Sequence, residues 1–299
     1  MCYNSIGDTM SEYTGRQIAI MTDLHALLEP TLAILADIKK RGIAEIYSLG
    51  DNIGEGPNPR EVLDALEEHR VISLMGNSEE YTAIGIAPFR GYFIRNKIIS
   101  QEWTKAHLTQ AQIGKLKKGI HSIDLIVGGK KIGLCHFAND VRIDYSKHST
   151  WTYQGSIRNG DLNPQRQFYY TNSPEQLEQI AHYSQNPEKE YEGFRSAAKD
   201  PLFGGKQVGA YDEIIQGHVH FKFLTEDALV KVRTIRAAAM AFSETDPLNL
   251  ASYIIIREKT DGYDVEEILV PFRREVLLQQ IQESSLPDKE KVTKFISRK

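Results

Sequence analysis

Two cysteines in 299 residues, Cys2 and Cys135, are too few for a disulfide framework. One lies in a polar N-terminal stretch and the other in an apolar run, so a reducing, cytoplasmic setting is expected. No apolar run is long enough to span a bilayer, and the N-terminus lacks the paired basic and apolar regions of a secretory leader. No membrane partner is expected. Basic residues are not in excess: 36 Lys and Arg stand against 40 Asp and Glu, a formal net charge of −4. A long nucleic acid therefore finds no basic stripe to track along. A small phosphorylated ligand is not excluded, because bound metal ions add positive charge that this count omits. Internal repeats and low-complexity tracts are also missing, which argues against a solenoid or array.

What is present suits a folded α/β chain. Hydrophobic residues make up 41% and charged residues 25%, ordinary values for a globular protein with one large domain or two small ones. Residues 17–22 read as a buried strand, and a helix follows with Leu28, Leu32, Leu35 and Ile38 at helical spacing. Lys39, Lys40 and Arg41 suit its C-terminal end, and Gly42 closes it. Residues 43–49 form the next strand. A glycine-rich loop, 53–57, leads to a second helix, with Asn58 as N-cap, Pro59 at N1 and Glu61 as the reciprocal cap. Residues 71–75 form a third strand. This alternation predicts a parallel sheet with right-handed crossovers and a ligand site outside the carboxyl ends of its strands.

Residues 79–119 read as mostly helical, with Trp103, Leu108, Ile113 and Leu116 as core candidates. Residues 120–127 and 131–135 read as a hairpin around Gly128 and Gly129. Strands are expected at 213–216, 228–238, 251–257 and 263–270. The division expected is a disordered extension over 1–16, a main domain over 17–272 and a helical tail over 273–299, broken near Pro287. Residues 141–209 stand apart. They are rich in Tyr, Asn, Gln and Arg, with weak periodicity and a helix near 173–183, and read as an insert or lid. A surface subdomain of locally packed tyrosines, including Tyr145, Tyr153, Tyr169 and Tyr170, is the plainer alternative.

The chemistry gathers at the ends of the apolar strands. Asp23-Leu24-His25 follows the first, Gly50-Asp51 the second, Gly76-Asn77 the third, and His136 ends the hairpin. Gly217-His218-Val219-His220 follows the strand over 213–216. In extended backbone the alternation in D-x-H and H-x-H puts both side chains on one face. The H-x-H pair is the stronger signal, and the other segments alone are weak: G-D and G-N are common turns, and a lone histidine is more often a satisfied core residue. Together they place carboxylate, imidazole and amide ligands, with no thiolate, at the same end of successive strands. Two cations held that way clamp a phosphoryl group and activate water.

The set D-x-H, G-D, G-N, H and G-H-x-H resembles the calcineurin-like metallophosphoesterase superfamily, over residues 17–258. The Gly50-to-Pro59 run resembles the bacterial small-phosphoesterase branch with YfcE-like phosphodiesterases and dinucleoside tetraphosphatase-like members. The resemblance implies a four-layer α/β sandwich of two mixed sheets flanked by helices. It implies one metal on Asp23, His25, Asp51 and His220, and a second on Asp51, Asn77, His136 and His218, with Asp51 bridging. Asp51, Asn77 and His218 would then act in catalysis through a metal-activated hydroxide. Mn, Fe, Zn, Ni or Co suit these donors better than Ca.

The sequence departs from the pattern at three places. Gly76-Asn77-Ser78-Glu79 has serine where a histidine commonly helps protonate the leaving oxygen. That favours phosphoanhydrides and activated diesters over esters with poor leaving groups. Ala26 and Leu27 replace a small polar pair after His25. Arg236 and three alanines replace the segment expected to follow G-H-x-H. Ser78, Glu79, Arg142 and Arg236 are the candidate substrate contacts. Insert tyrosines, with Arg142, Arg158, Arg166 and Arg195, suit a nucleotide or dinucleoside polyphosphate. The expected function is hydrolysis of a phosphodiester or phosphoanhydride bond in a small, nucleotide-like molecule, with homo-oligomers allowed. Phosphomonoesterase or phosphoprotein phosphatase activity, and a catalytically weak interaction scaffold, are the alternatives.

Overall fold

Residues 18–21, Ile-Ala-Ile-Met, are fully buried on both faces of a single strand. That strand, β1 (Tyr13–Met21), organises the fold of the computed structural model. The structure describes residues 12–84, 92–136, 211–218, 220, 223–226, 231–239 and 249–297. The insert expected at 141–209, its helix, Arg142 and the first eleven residues lie outside the described residues.

β1 begins at Tyr13 rather than at Gln17, so residues 13–16 are strand and not part of a disordered extension. The reason is pairing. Arg16 reaches both carboxylate oxygens of Glu45 at 2.9 Å, and Tyr13 and Thr14 bond to Asp264 and Glu258.

β1 sits at the centre of a sheet with β2 (Glu45–Ser48), β3 (Ile72–Ser73), β9 (Leu250–Lys259) and β10 (Tyr263–Pro271), in the order β10-β9-β1-β2-β3. β1, β2 and β3 are parallel as the alternation predicts, but β9 and β10 add antiparallel. A second sheet holds β4 (Ser122–Val127), β5 (Lys130–Cys135), β6 (Glu213–Gln216), β7 (Phe223–Glu226) and β8 (Lys231–Thr234), in the order β4-β5-β6-β8-β7. It too is mixed: β5, β6 and β8 run parallel, with β4 and β7 antiparallel at the edges. The parallel core read from the alternation is the β1-β2-β3 part of the first sheet, and the two mixed sheets flanked by helices that the resemblance implied are present.

The period-2 pleat of β1 explains the layering. Ile18 and Ile20 pack with Leu125, Val127, Ile132, Leu134 and Ile215 between the sheets. Ala19 and Met21 pack with the helices on the other face. Those helices include α1 (Leu28–Lys40) and α2 (Pro59–Glu68). α1 carries Glu29 in its first turn and Lys39 and Lys40 in its last, matching the macrodipole. Its end is a Schellman motif, with Ile43 N–H on Ile38 O and Gly42 N–H on Lys39 O. Its buried face runs through Thr31, Ile34, Leu35 and Ile38, whereas Leu32, expected in the core, is 40% exposed. Pro59 is at N1 of α2, but Asn58 makes no capping bond there.

Helices also fill the region expected to be helical: α3 (Asn77–Ile84), α4 (Tyr92–Ala106) and α5 (Gln110–Leu116). A reciprocal capping box occurs at Thr109 and Gln112 of α5. Leu108 and Ile113 are buried against Ile53, while Leu116 and Trp103 are half-buried. The tail forms α6 (Arg274–Glu283) and α7 (Lys289–Ser297). Leu277, Ile281, Val292 and Ile296 bury into the same core as α1. No helix among the described residues is long and apolar enough to cross a membrane.

Ile20→Ala should destabilise the protein by about 2–5 kcal/mol in urea unfolding, because it opens a cavity between the sheets. Leu32→Ala on exposed α1 should stay within about 0.5 kcal/mol of the parent. Equal effects at the two positions would contradict this layering.

Candidate metal centre

Parallel strands of both sheets end at one place. β1 runs into Asp23 and His25, β2 into Asp51, β3 into Asn77, β5 into His136 and β6 into His218 and His220. The loops are stitched by the backbone. Asp23 N–H donates to Gly50 O at 2.9 Å, and His25 N–H to Asp51 O at 2.8 Å. Gly217 N–H donates to His136 O at 2.9 Å. Between the two sheets, His218 N–H donates to Asp23 Oδ2 at 2.9 Å, and the Thr22 hydroxyl donates to the same oxygen at 2.8 Å.

The loops turn sharply. Asp23, His25, Asp51, His218 and His220 all have φ between +48° and +69°. For a residue with a Cβ this region is sparsely populated and costs roughly 1–3 kcal/mol. Five such residues at one spot need firm support. Part of it is close contact that only glycine permits. A Cβ on Gly76 would lie 2.4 Å from Asp51 N and Oδ1, and one on Gly217 would lie 1.9 Å from Thr22 Oγ1.

The side chains converge as two clusters joined by Asp51. In one, His25 Nε2 and His220 Nε2 are 2.9 Å apart, and Asp23 Oδ1 lies 3.7 and 3.3 Å from them. In the other, His136 Nε2 lies 3.3 Å from Asn77 Oδ1, 3.2 Å from His218 Nδ1 and 3.6 Å from Asp51 Oδ1. Asp51 Oδ2 faces the first cluster, 3.9 Å from His25 Nε2. One carboxylate thus addresses both clusters, one oxygen to each.

These residues fit bound divalent cations. Asp23 Oδ1 and His25 Nδ1 are buried and meet no hydrogen-bond partner among the described residues. Such orphans are rare unless an ion or water completes them. His136 Nδ1 lies 3.1 Å from Leu49 O, the outer contact that leaves Nε2 as the ligand atom. Asp23, His25 and His220, and likewise Asp23, Asp51 and His136, bring their donor atoms within 4.8 Å of one another. The mixture of imidazole, carboxylate and amide suits a divalent transition metal.

The electrostatics agree. Burial, and then neighbouring His220, push His25 down to about 4. Burial and neighbouring His136 push His218 down to about 3. Both imidazoles are therefore neutral near pH 7, as a ligand must be. Burial alone would lower His136 too, but Asp51, Asp23 and Glu79 outweigh it and raise His136. Burial works against the charge of Asp23, yet His220, His136 and His25 hold it well below the usual carboxylate range. The acids around His136 thus favour positive charge at this spot.

All seven sequence-read ligands meet here, but the expected substrate contacts divide. Glu79 is buried and turned inward. Its two oxygens accept N–H bonds from Asp51 (2.8 Å), Asn52 (2.7 Å) and Gly76 (2.9 Å), so the buried carboxylate is engaged by the loops around it. Burial, and then Asp51, push it up to about 7. It is the organiser of the Asp51 and Asn77 loops. Ser78 is wholly buried, and its N–H donates to Asp51 Oδ1 at 2.7 Å. Arg236 bonds Glu267 at 3.0 Å, across to β10. Sequence reading missed the loop-holding role of Glu79 and the part of Thr22; the only local signal was an acid two residues past a G-N turn.

A family model for calcineurin-like phosphoesterases matches residues 16–222. The chain belongs to that family. The uncharacterized protein MJ0912 of Methanocaldococcus jannaschii is 34% identical over 123 residues, 40% of this chain and 48% of that protein. The match thus spans about half the length of that curated relative. Among solved structures, hypothetical protein PH1004 of Pyrococcus horikoshii OT3 is similar over 94% of this chain and 97% of its own, with 14% identity and a TM-score of 0.58. A metallophosphoesterase from Sphaerobacter thermophilus is similar over 94% and 98%, with 18% identity and a TM-score of 0.56. At these identities the two structures speak for the fold.

Gly76→Ala should retain the far-UV circular dichroism of the parent but weaken Mn binding by more than about tenfold, read by competition with a chelating dye. Parent-like Mn affinity would contradict the close packing of the Asp51 and Asn77 loops.

Proposed function

We propose that the protein is a dinuclear metal-dependent phosphoesterase cleaving phosphodiester or phosphoanhydride bonds of a small, nucleotide-like substrate. The observation that carries this reading is the Asp51 carboxylate, set between two ligand clusters with one oxygen toward each. Asp23, His25, Asp51 and His220 would hold one cation, and Asp51, Asn77, His136 and His218 the other. When bound, such a pair lowers the pKa of water and withdraws charge from phosphoryl oxygens.

The chain's own groups do the positioning. Leu49 O faces His136 Nδ1 and so aims Nε2. Thr22 and the His218 amide fix one oxygen of Asp23. Glu79 holds the Asp51 turn. The side chain after Asn77 favours a substrate whose leaving group needs no proton. Ser78 is fully buried, and a Cβ on Gly54 would lie 3.0 Å from its hydroxyl. A diester with a good leaving group or an anhydride meets that condition; a simple alkyl monoester does not. Metal identity follows donor softness, with Mn, Fe, Zn, Ni and Co as the set. Buried Cys135 fits a reducing compartment such as the cytoplasm.

The test is turnover by metal-stripped protein reloaded with Mn, against bis-p-nitrophenyl phosphate, p-nitrophenyl phosphate, a dinucleoside tetraphosphate and a nucleoside triphosphate. Turnover should favour the diester or the anhydrides, and Asp51→Asn should lower it by on the order of a hundredfold to a thousandfold. Preference for the monoester would move the reading to a phosphomonoesterase. Turnover that ignores Asp51, with every metal of the set, would leave a scaffold as the better account.

A further inference from the structure

The loop over 53–57 lies between the two ends of the metal centre. Gly56 is seated against the His25 segment, where a Cβ would come 2.3 Å from His25 O. Gly54 faces Ser78 and Gln101, each 3.0 Å from the Cβ it lacks. Just beyond the loop, Asn58 N–H donates to Ala26 O at 3.1 Å. Any shift of this loop is therefore felt at the His25 segment and at the start of α3, which carries Asn77.

At the tip of the loop, Glu55 adopts φ +60° and its side chain is only 10% exposed. A carboxylate so enclosed needs a cation beside it. Lys291 Nζ provides one at 2.8 Å, from 236 positions along the chain. Lys291 sits on α7, which is anchored independently. Val292 and Ile296 are buried in the α1 core, and Arg274 Nε donates to Ile296 O at 2.9 Å. Just before α7, the hydroxyl of Ser285 accepts from Trp103 Nε1 of α4 at 3.1 Å. The match to the family ends at residue 222, ahead of this whole tail.

We infer that the C-terminal helix braces the metal centre, with Lys291, acting through Glu55, as a positioning residue for the loops that carry His25 and Asn77. This deepens the metal-centre reading and rests on it for the effect on metal, though not for the effect on the loop. An ordinary exposed ion pair would contribute little. This one joins a nearly buried acid on a strained loop to a helix fixed in the core.

The experiment compares Lys291→Met and Glu55→Gln in the full chain with Lys289→Met, whose ammonium bonds, among the described residues, to Gln282 O within the tail. Amide hydrogen exchange and Mn affinity are both read. In both brace variants, exchange at 53–57 should quicken by about tenfold, with the rest of α7 unchanged. Mn affinity should fall by about five- to tenfold, the lower end of what outer contacts of a metal site carry. Lys289→Met should match the parent, and Lys291→Arg should restore both readouts. Should Lys291→Met fail to fold, Glu55→Gln reads the same pair from its other end. Unchanged exchange at 53–57 overturns the inference, as does an equal loss in Lys289→Met. A parent protein that binds no Mn would contradict the metal centre and leave the exchange comparison to judge the brace.

Discussion

The carboxylate of Asp51 faces two groups of ligands at once, and that contact sets the terms for the rest of the molecule. Two acids, an amide and four imidazoles gather within a few ångströms, nearly all of them out of water. Buried groups of this kind are expensive unless each finds a partner. Here, two imidazole nitrogens face each other at 2.9 Å in one cluster and at 3.2 Å in the other. A buried carboxylate oxygen beside the first pair, Asp23 Oδ1, has no hydrogen-bond donor among the described residues. The raised affinity of His136 for a proton is what the acidic cluster imposes when positive charge is the missing element. Divalent cations answer the same demand more fully.

Holding such a cluster requires a stiff frame, and the fold supplies it through burial. β1 is covered on both faces, by the second sheet and by the helices, so its end cannot drift. The five candidate ligands at positive φ are each tied to a neighbouring loop or strand end. Glu79 shows the same economy of position: one buried carboxylate gathers three backbone N–H groups from two ligand loops. Strain concentrated at a site and supported from outside it is a common pattern in functional loops. The tail fits it too, since α6 and α7 share the core of α1.

The seven candidate ligands were legible in the sequence because the five segments that carry them each follow an apolar strand, which makes the signal local. The same locality made the α/β class readable. What was not legible depends on partners far along the chain. Arg236 was read as a candidate phosphate contact, but Glu267, 31 positions later, lies beside it on β10 of the other sheet. Glu79 was read as a candidate substrate contact; the bonds it makes depend on Asp51 and Asn52 being folded over it. Leu32 matched the helical spacing yet faces outward, since the turn after His25 sets which face of α1 meets the sheet. The antiparallel strands β9 and β10 were seen as strands, but periodicity does not say which edge they join. Asn58 was read as an N-cap from residue type alone, and its side chain makes no such bond.

The most direct test of the account is an anomalous-scattering map from crystals of the protein loaded with Mn. The account predicts two peaks, about 3.5–4 Å apart as in two-metal sites, on either side of the Asp51 carboxylate. One should lie among Asp23, His25 and His220, and the other among Asn77, His136 and His218. A single peak, or peaks away from Asp51, would contradict a bridged dinuclear centre.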